Sequence, residues 1–194
     1  MNVNESAWND KTIHFPSIAL AIKAAELQGI NAGRIFLRKV QESFFLKKRN
    51  ISNVAVLTQC AFDSKLDISE FKKDLYSVSA KKAFQSDLII TKELDLIDKP
   101  TIVFFNQNIE EEGIKISGLN SYDIYVYILK KMLQRNPMPS KNPSLEDFIA
   151  HFEIVAHSEI SIVYDWTNAE TDKAMKKLQL NCQLSVGKHE YPLR

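Results

Sequence analysis

The run Thr101-Ile102-Val103-Phe104-Phe105 constrains this chain more than any other segment, because it is continuously apolar, β-branched or aromatic and directly follows Lys99-Pro100. A short apolar run of that composition reads as a buried strand. Asn106 to Gly113 is a polar turn, and Ile114-Lys115-Ile116-Ser117 alternates like a strand with one wet face. The two predict an antiparallel hairpin. Asn120 is the expected cap of a following helix whose Tyr122, Tyr125, Val126, Leu129 and Leu133 form one stripe.

Helical periodicity fills the chain before that hairpin. Pro16 and Ser17 open a stretch with Ile18, Ile22 and Ala25 on one face, and Gly29 is its expected stop. A second helix is expected from Arg34 to Lys48. Phe36, Leu37, Val40 and Phe44 make its apolar stripe, and Arg38, Lys39, Lys47 and Lys48 project elsewhere. Ser52 is the expected cap of a third, carrying Val54, Leu57 and Ala61. Asp67 begins a fourth with Ile68, Phe71 and Leu75, and Ala80 to Asp95 continues the pattern through Phe84, Leu88 and Thr91. Strand, strand and helix after these segments predict an α/β chain whose middle third is a bundle of short amphipathic helices.

Asn136 to Pro143 holds three prolines, a linker composition that divides the chain into 1–135 and 144–194. Beyond it Ser144 caps a helix with Leu145, Phe148, Ile149, Phe152 and Val155 inward. Ser158 caps a second, and Thr167 with Glu170 makes a capping box for a third carrying Met175 and Leu178. Gln183 to Val186, a turn at Gly187, then His189 and Tyr191 suggest a terminal hairpin. The outline is a small winged-helix-like module that leans on the main domain for stability.

Chemistry is sparse. Cys60 and Cys182 are the two cysteines, far apart and without a partner at metal-ligand spacing. Thiol–disulfide exchange needs an attacking and a resolving thiol close together, and no CxxC is present. His14, His151, His157 and His189 are scattered, so no metal site and no cofactor is expected. Glu110-Glu111-Glu112 is a solvated turn. Lysine plus arginine nearly balances aspartate plus glutamate, for a formal charge of +1, so no global field draws the chain to nucleic acid or an anionic membrane. Lys173, Lys176 and Lys177 share a helical face that lacks the side chains suited to bidentate base readout. No signal-like start and no spanning run is visible, and the cytoplasm is the expected location. Among exposed groups, Arg34, Arg38 and Tyr127 are the candidate partner-binding residues. Tyr127 cannot share the core with Tyr125, which lies about 200° away around the helix.

A helical bundle followed by X-Pro, strand, strand and helix resembles the back half of the DsbA/FrnE type of the thioredoxin superfamily. That resemblance makes Pro100 a candidate structural cis-proline. Closer likeness lies in Ile18-Ala19-Leu20-Ala21-Ile22-Lys23-Ala24-Ala25-Glu26-Leu27-Gln28-Gly29, in Pro100 to Phe105 with Glu111-Glu112-Gly113 and Gly118-Leu119, in Tyr122 to Ile128, and in Tyr164-Asp165-Trp166. These stretches are similar to the ClpXP adaptor family known as SpxH or YjbH. The resemblance implies a non-enzymatic protein that binds the transcription factor Spx and makes it available to the ClpXP protease. The alternative it leaves open is a dithiol-disulfide oxidoreductase whose CxxC lies in a missing N-terminal segment.

Family members begin with a strand, a cysteine-bearing helix and another strand, and this chain starts after most of that. The resemblance therefore implies an incomplete thioredoxin-like fold, with the strand expected beside Thr101 to Phe105 missing. A strand without its neighbour carries unpaired backbone groups. Truncation of the N-terminus is one expectation; covering of the edge by self-association or by a partner is the other.

Overall fold

A computed structural model describes residues 15–105 and 113–185, and within it they fall into two compact units, 15–139 and 140–185. The first unit is built on α1 (Phe15–Leu27), α2 (Ile30–Gln41), α3 (Val54–Asp63), α4 (Ile68–Asp74) and α5 (Val78–Glu93). A π-helical turn, Glu42–Leu46, extends α2. The hairpin β1 (Thr101–Phe104) and β2 (Ile114–Ser117) follows, then α6 (Tyr122–Leu133).

Helix α1 sits at the centre of the bundle and packs against α2, α3, α4 and α5. Ala21, Ala24 and Ala25 are fully buried, and these small side chains let neighbouring backbones approach closely. Gly33 of α2 lies against Glu26 of α1, so close that a Cβ there would meet the Glu26 Cγ at 2.4 Å. Around this contact Phe36, Val40, Leu57, Cys60, Phe71 and Leu75 form the core, with the Phe36 and Phe71 rings 5.2 Å apart. Asp67 caps α4 by accepting from the Glu70 N–H, and Ser77 caps α5 by accepting from the Ala80 N–H.

Several expectations shift in detail. Helix α2 begins at Ile30, four residues before Arg34, because Gly29 at φ 134° ends one helix and starts the next. Leu37 and Val54 are exposed rather than inward. Asn53, not Ser52, caps α3: its side chain accepts from the Ala55 N–H at 2.8 Å. Ser121 holds the cap position of α6, while the Asn120 amide donates back to the Ser117 and Gly118 carbonyls. Ile128 is the buried residue of α6, and Tyr122, Leu129 and Leu133 are exposed. The expected turn over 106–112 lies outside the described residues.

The hairpin is antiparallel, with Thr101 opposite Ser117 and Phe104 opposite Ile114. It is not the buried strand the composition suggested: Ile102 is 44% exposed, because among the described residues no helix packs broadly on the hairpin. Lys115 ties the opposite face to the bundle by donating to the Leu94 and Asp95 carbonyls at 3.1 and 2.9 Å. These are carbonyls at the end of α5, where a cation is favoured.

The second unit holds α7 (Leu145–Phe152), α8 (His157–Tyr164) and α9 (Asn168–Ser185). Ser144 caps α7 as expected. Ala156 rather than Ser158 precedes α8, with Glu159 reaching back to the Ala156 N–H at 2.7 Å. Thr167 and Glu170 form the expected box at the start of α9. Leu145, Ile160 and Thr171 are its buried residues. Tyr164 stacks on Trp166 at 4.6 Å, meets Phe148 edge-on at 5.8 Å, and donates its hydroxyl to the Pro143 carbonyl at 3.0 Å.

The winged-helix outline needs correction at its end. Gln183 to Ser185 continue α9 instead of opening a strand. The reason is local: Leu178 to Ser185 contains good helix formers and no breaker, and the capping box has already nucleated the helix. The rest of the expected hairpin lies outside the described residues.

Candidate functional site

The polar interior of the bundle is the first place to look for chemistry. Cys60 on α3 is 1% exposed, and its sulfur lies 3.2 Å from the Ser43 hydroxyl and 3.6 Å from the Lys39 carbonyl. Burial pushes the thiol above its ordinary range, outweighing the Ser43 hydrogen bond and the nearby Lys47 and Arg49 charges. A thiol held protonated is a poor nucleophile. Cys182 falls in α9, beyond the residues whose side chains are described.

Glu42 is a buried carboxylate that periodicity alone did not reveal. Its two oxygens accept from Arg38 Nε at 3.2 Å and from Lys39 Nζ at 3.4 Å. These two pairings hold the carboxylate where α2 passes into the π-helical turn. A signal was available in the sequence: two basic residues stand three and four positions before a lone acid. This pairing also places Arg38 and Lys39, both expected on the wet face, half-buried over the bundle. Arg34 is exposed, as is Tyr127, whose ring lies 5.4 Å from the Lys131 ammonium. The three candidate partner residues thus fall on two helices, Arg34 and Arg38 on α2 and Tyr127 on α6.

The hairpin is the second feature. The Lys99–Pro100 peptide bond is cis. The Pro100 carbonyl accepts from the Gly118 N–H at 2.8 Å, which makes that position a hydrogen-bonded pair. Alternation along an antiparallel ladder then directs the Thr101 and Val103 backbone groups away from β2. The 3.0 Å approach of the Thr101 and Ser117 hydroxyls fits the closer spacing of a non-bonded pair. Among the described residues no second strand meets that edge.

Neither feature assembles a catalytic constellation. Among the described residues no group of three or more His, Cys, Asp or Glu side chains could hold a metal ion. His157 does meet Asp172 at 3.0 Å, but both are exposed and no nucleophile joins them. Lys173, Lys176 and Lys177 are exposed along α9. No described helix is long and apolar enough to cross a membrane.

The model of the thioredoxin family matches residues 1–127, which take in the bundle, the cis-proline, the hairpin and half of α6. The chain belongs to the thioredoxin family. Its fold is also similar to the crystal structure of a candidate protein disulfide isomerase from Nitrosomonas europaea. That likeness covers 61% of this chain and 57% of the other at a TM-score of 0.53, with 16% identity.

Within the family the likeness is more particular. The chain is 48% identical over 181 residues to the ClpXP adapter protein SpxH of Bacillus subtilis, covering 92% of this chain and 60% of that protein. It is 46% identical over 173 residues to the protein of the same name from Halalkalibacterium halodurans, covering 89% and 56%. The chain thus spans under two thirds of the length of the curated relatives it matches.

Proposed function

We propose that this chain is a non-enzymatic adaptor that binds the transcription factor Spx and promotes its degradation by ClpXP. The observation that carries the reading is the 48% identity to a ClpXP adapter protein SpxH across 92% of the chain, both compact units included. An adaptor needs surfaces, not reactive groups. It works by holding a substrate near the protease, and the rise in effective concentration lets modest affinities suffice. Such a role belongs in the cytoplasm, with Arg34, Arg38 and Tyr127 as contact candidates. Pairing through the open edge of β1, with a partner or a second copy, belongs to the same reading.

The alternative is a dithiol-disulfide oxidoreductase whose CxxC lies in a missing N-terminal segment; this sequence itself holds no CxxC. Cys60 is buried and held protonated, which disfavours attack on a disulfide.

The test is reconstituted proteolysis: purified ClpXP, ATP and Spx, with and without this chain, thiols reduced. Spx should disappear faster with the chain present. Equal rates in both reactions would remove the adaptor reading for this chain.

A further inference from the structure

The outer faces of α3 and α4 form an open groove of about 520 Å³, lined by Val54, Ala55, Thr58, Gln59, Phe62, Ile68 and Lys72. Its α3 wall repeats at helical spacing from Val54 to Phe62, a rise of about 12 Å or two turns. Phe62 is 67% exposed, and Val54, two turns before it on the same helix, is exposed as well. A phenyl ring left in water on a rigid two-helix frame is costly, and exposed aromatics of this kind anchor interfaces.

The polar groups of the groove are already satisfied within the helices. The Thr58 hydroxyl donates to the Val54 carbonyl at 2.7 Å, and the Gln59 amide donates to Asp63 at 2.8 Å. The lining therefore asks an occupant for apolar contact rather than hydrogen bonds. Its one charge is different. Lys72 is exposed and makes no ion pair among the described residues, whereas its neighbour Lys73 meets Glu70 at 3.3 Å. Lys47, Lys48 and Arg49, all exposed, stand just ahead of α3.

We infer that this groove is a docking site for an acidic amphipathic helix of a protein partner, its apolar face over Phe62 and a carboxylate at Lys72. The outer faces of two helices in contact can accept a third in the usual ridge-and-groove manner, with anchors at i, i+3, i+4 and i+7. Charge complementarity selects the acidic class: the lining carries Lys72, which makes no ion pair among the described residues, and no carboxylate. The groove's chemistry stands by itself, while naming Spx as the source of such a helix rests on the adaptor reading.

Two measurements on the full chain decide it. In the first, a synthetic peptide with leucines at i, i+3, i+4 and i+7 and flanking glutamates is titrated into isotope-labelled chain, beside its glutamate-to-lysine counterpart. The expected result is amide shifts confined to α3 and α4, with the acid peptide binding at least about fivefold tighter and Lys72→Glu inverting that preference. Shifts elsewhere, or no charge preference, would overturn the inference. In the second, Spx is titrated calorimetrically into wild type, Phe62→Ser and Lys72→Glu. Loss of an aromatic anchor should weaken binding at least about tenfold. Both positions are exposed, so circular dichroism should not change. Spx binding to all three alike, with no peptide preference, sinks the groove and leaves the adaptor reading intact. Peptide binding in the groove without any Spx binding keeps the groove and removes Spx. A dimer of the free chain that Phe62→Ser dissolves would make a second copy the occupant and overturn the partner inference.

Discussion

Gly33→Ala places two effects of opposite sign at one atom. Alanine is about 1 kcal/mol better than glycine inside a helix, and Gly33 lies within α2. Against that, the new Cβ would stand 2.4 Å from the Glu26 Cγ, 3.2 Å from its Cα and 3.3 Å from its Cβ. Rotation of the Glu26 side chain can relieve the first contact only by giving up its 2.7 Å pairing with Lys23, which also bridges to Asp87 of α5. It cannot relieve the other two, which are fixed to α1. The two helices must therefore part where Ala21, Ala24 and Ala25 hold them together. Overpacking of a closed contact costs about 1–3 kcal/mol, so the clash outweighs the helical gain and a net loss of about 1 kcal/mol is expected. Urea denaturation followed by circular dichroism reads it directly as a lower midpoint. Adding Glu26→Ala removes the Cγ and leaves the 3.2 Å contact, so the double variant should recover part of the loss relative to Glu26→Ala alone. A Gly33→Ala protein more stable than wild type would refute the reasoning, as would strict additivity of the pair.

Phe36→Ala should destabilise the first unit by about 3–5 kcal/mol, because the ring is fully buried against Phe71; a urea midpoint shifted by under a quarter of that would refute the core assignment. The Cys60 thiol is pushed up in the fold, so its contribution to stability is present below the ordinary thiol range and is lost as pH rises through the elevated folded value. In a Cys182→Ser background, denaturation midpoints should fall above about pH 9 more steeply than in the same background with Cys60→Ala. In the same background a thiol reagent should label native Cys60 far more slowly than the unfolded chain, and equal rates would mean the thiol is accessible. Glu170 lies below the usual carboxylate range because the Thr167 backbone N–H and hydroxyl donate to it. Thr167→Ala removes the hydroxyl bond alone, so NMR titration should show Glu170 moving part of the way back up.

Local chemistry was legible where one residue decides it. Asp67, Ser144 and the Thr167–Glu170 box are caps whose geometry is fixed within four residues, and all stand where the sequence put them. The hairpin was legible from one continuous apolar run and one alternating run on either side of a polar turn. What escaped depends on contacts distant in sequence or on a change of helical pitch. Ser52 and Asn53 are both good caps, and only the turn, in which Ser52 donates its N–H to the Asn50 side chain, selects the second. The π-helical turn is invisible to a fixed period of 3.6, and Glu42, which the apolar stripe of that helix did not single out, lies buried at its start. The stripe on α6 counted five apolar residues correctly but not which of them the rest of the unit would cover.

Stability in the first unit is unevenly spread, and that bears on how the chain could act as a platform. Its buried apolar residues run from Ile18 to Ala80, with Ile128 the one described exception farther along. Opening free energy follows buried contact, so amide exchange should be slowest across α1 to α3 and fastest at the hairpin and α6. The same partition separates two kinds of binding surface. The α3–α4 groove sits on the well-packed part, where a partner meets side chains that need not reorder and little entropy is lost. The β1 edge and the exposed Ile102 and Tyr122 lie on the loosely packed part, where any partner must also stabilise the sheet it joins. A ligand of the groove should therefore leave exchange at the hairpin unchanged, whereas a strand added at Thr101 and Val103 should slow it.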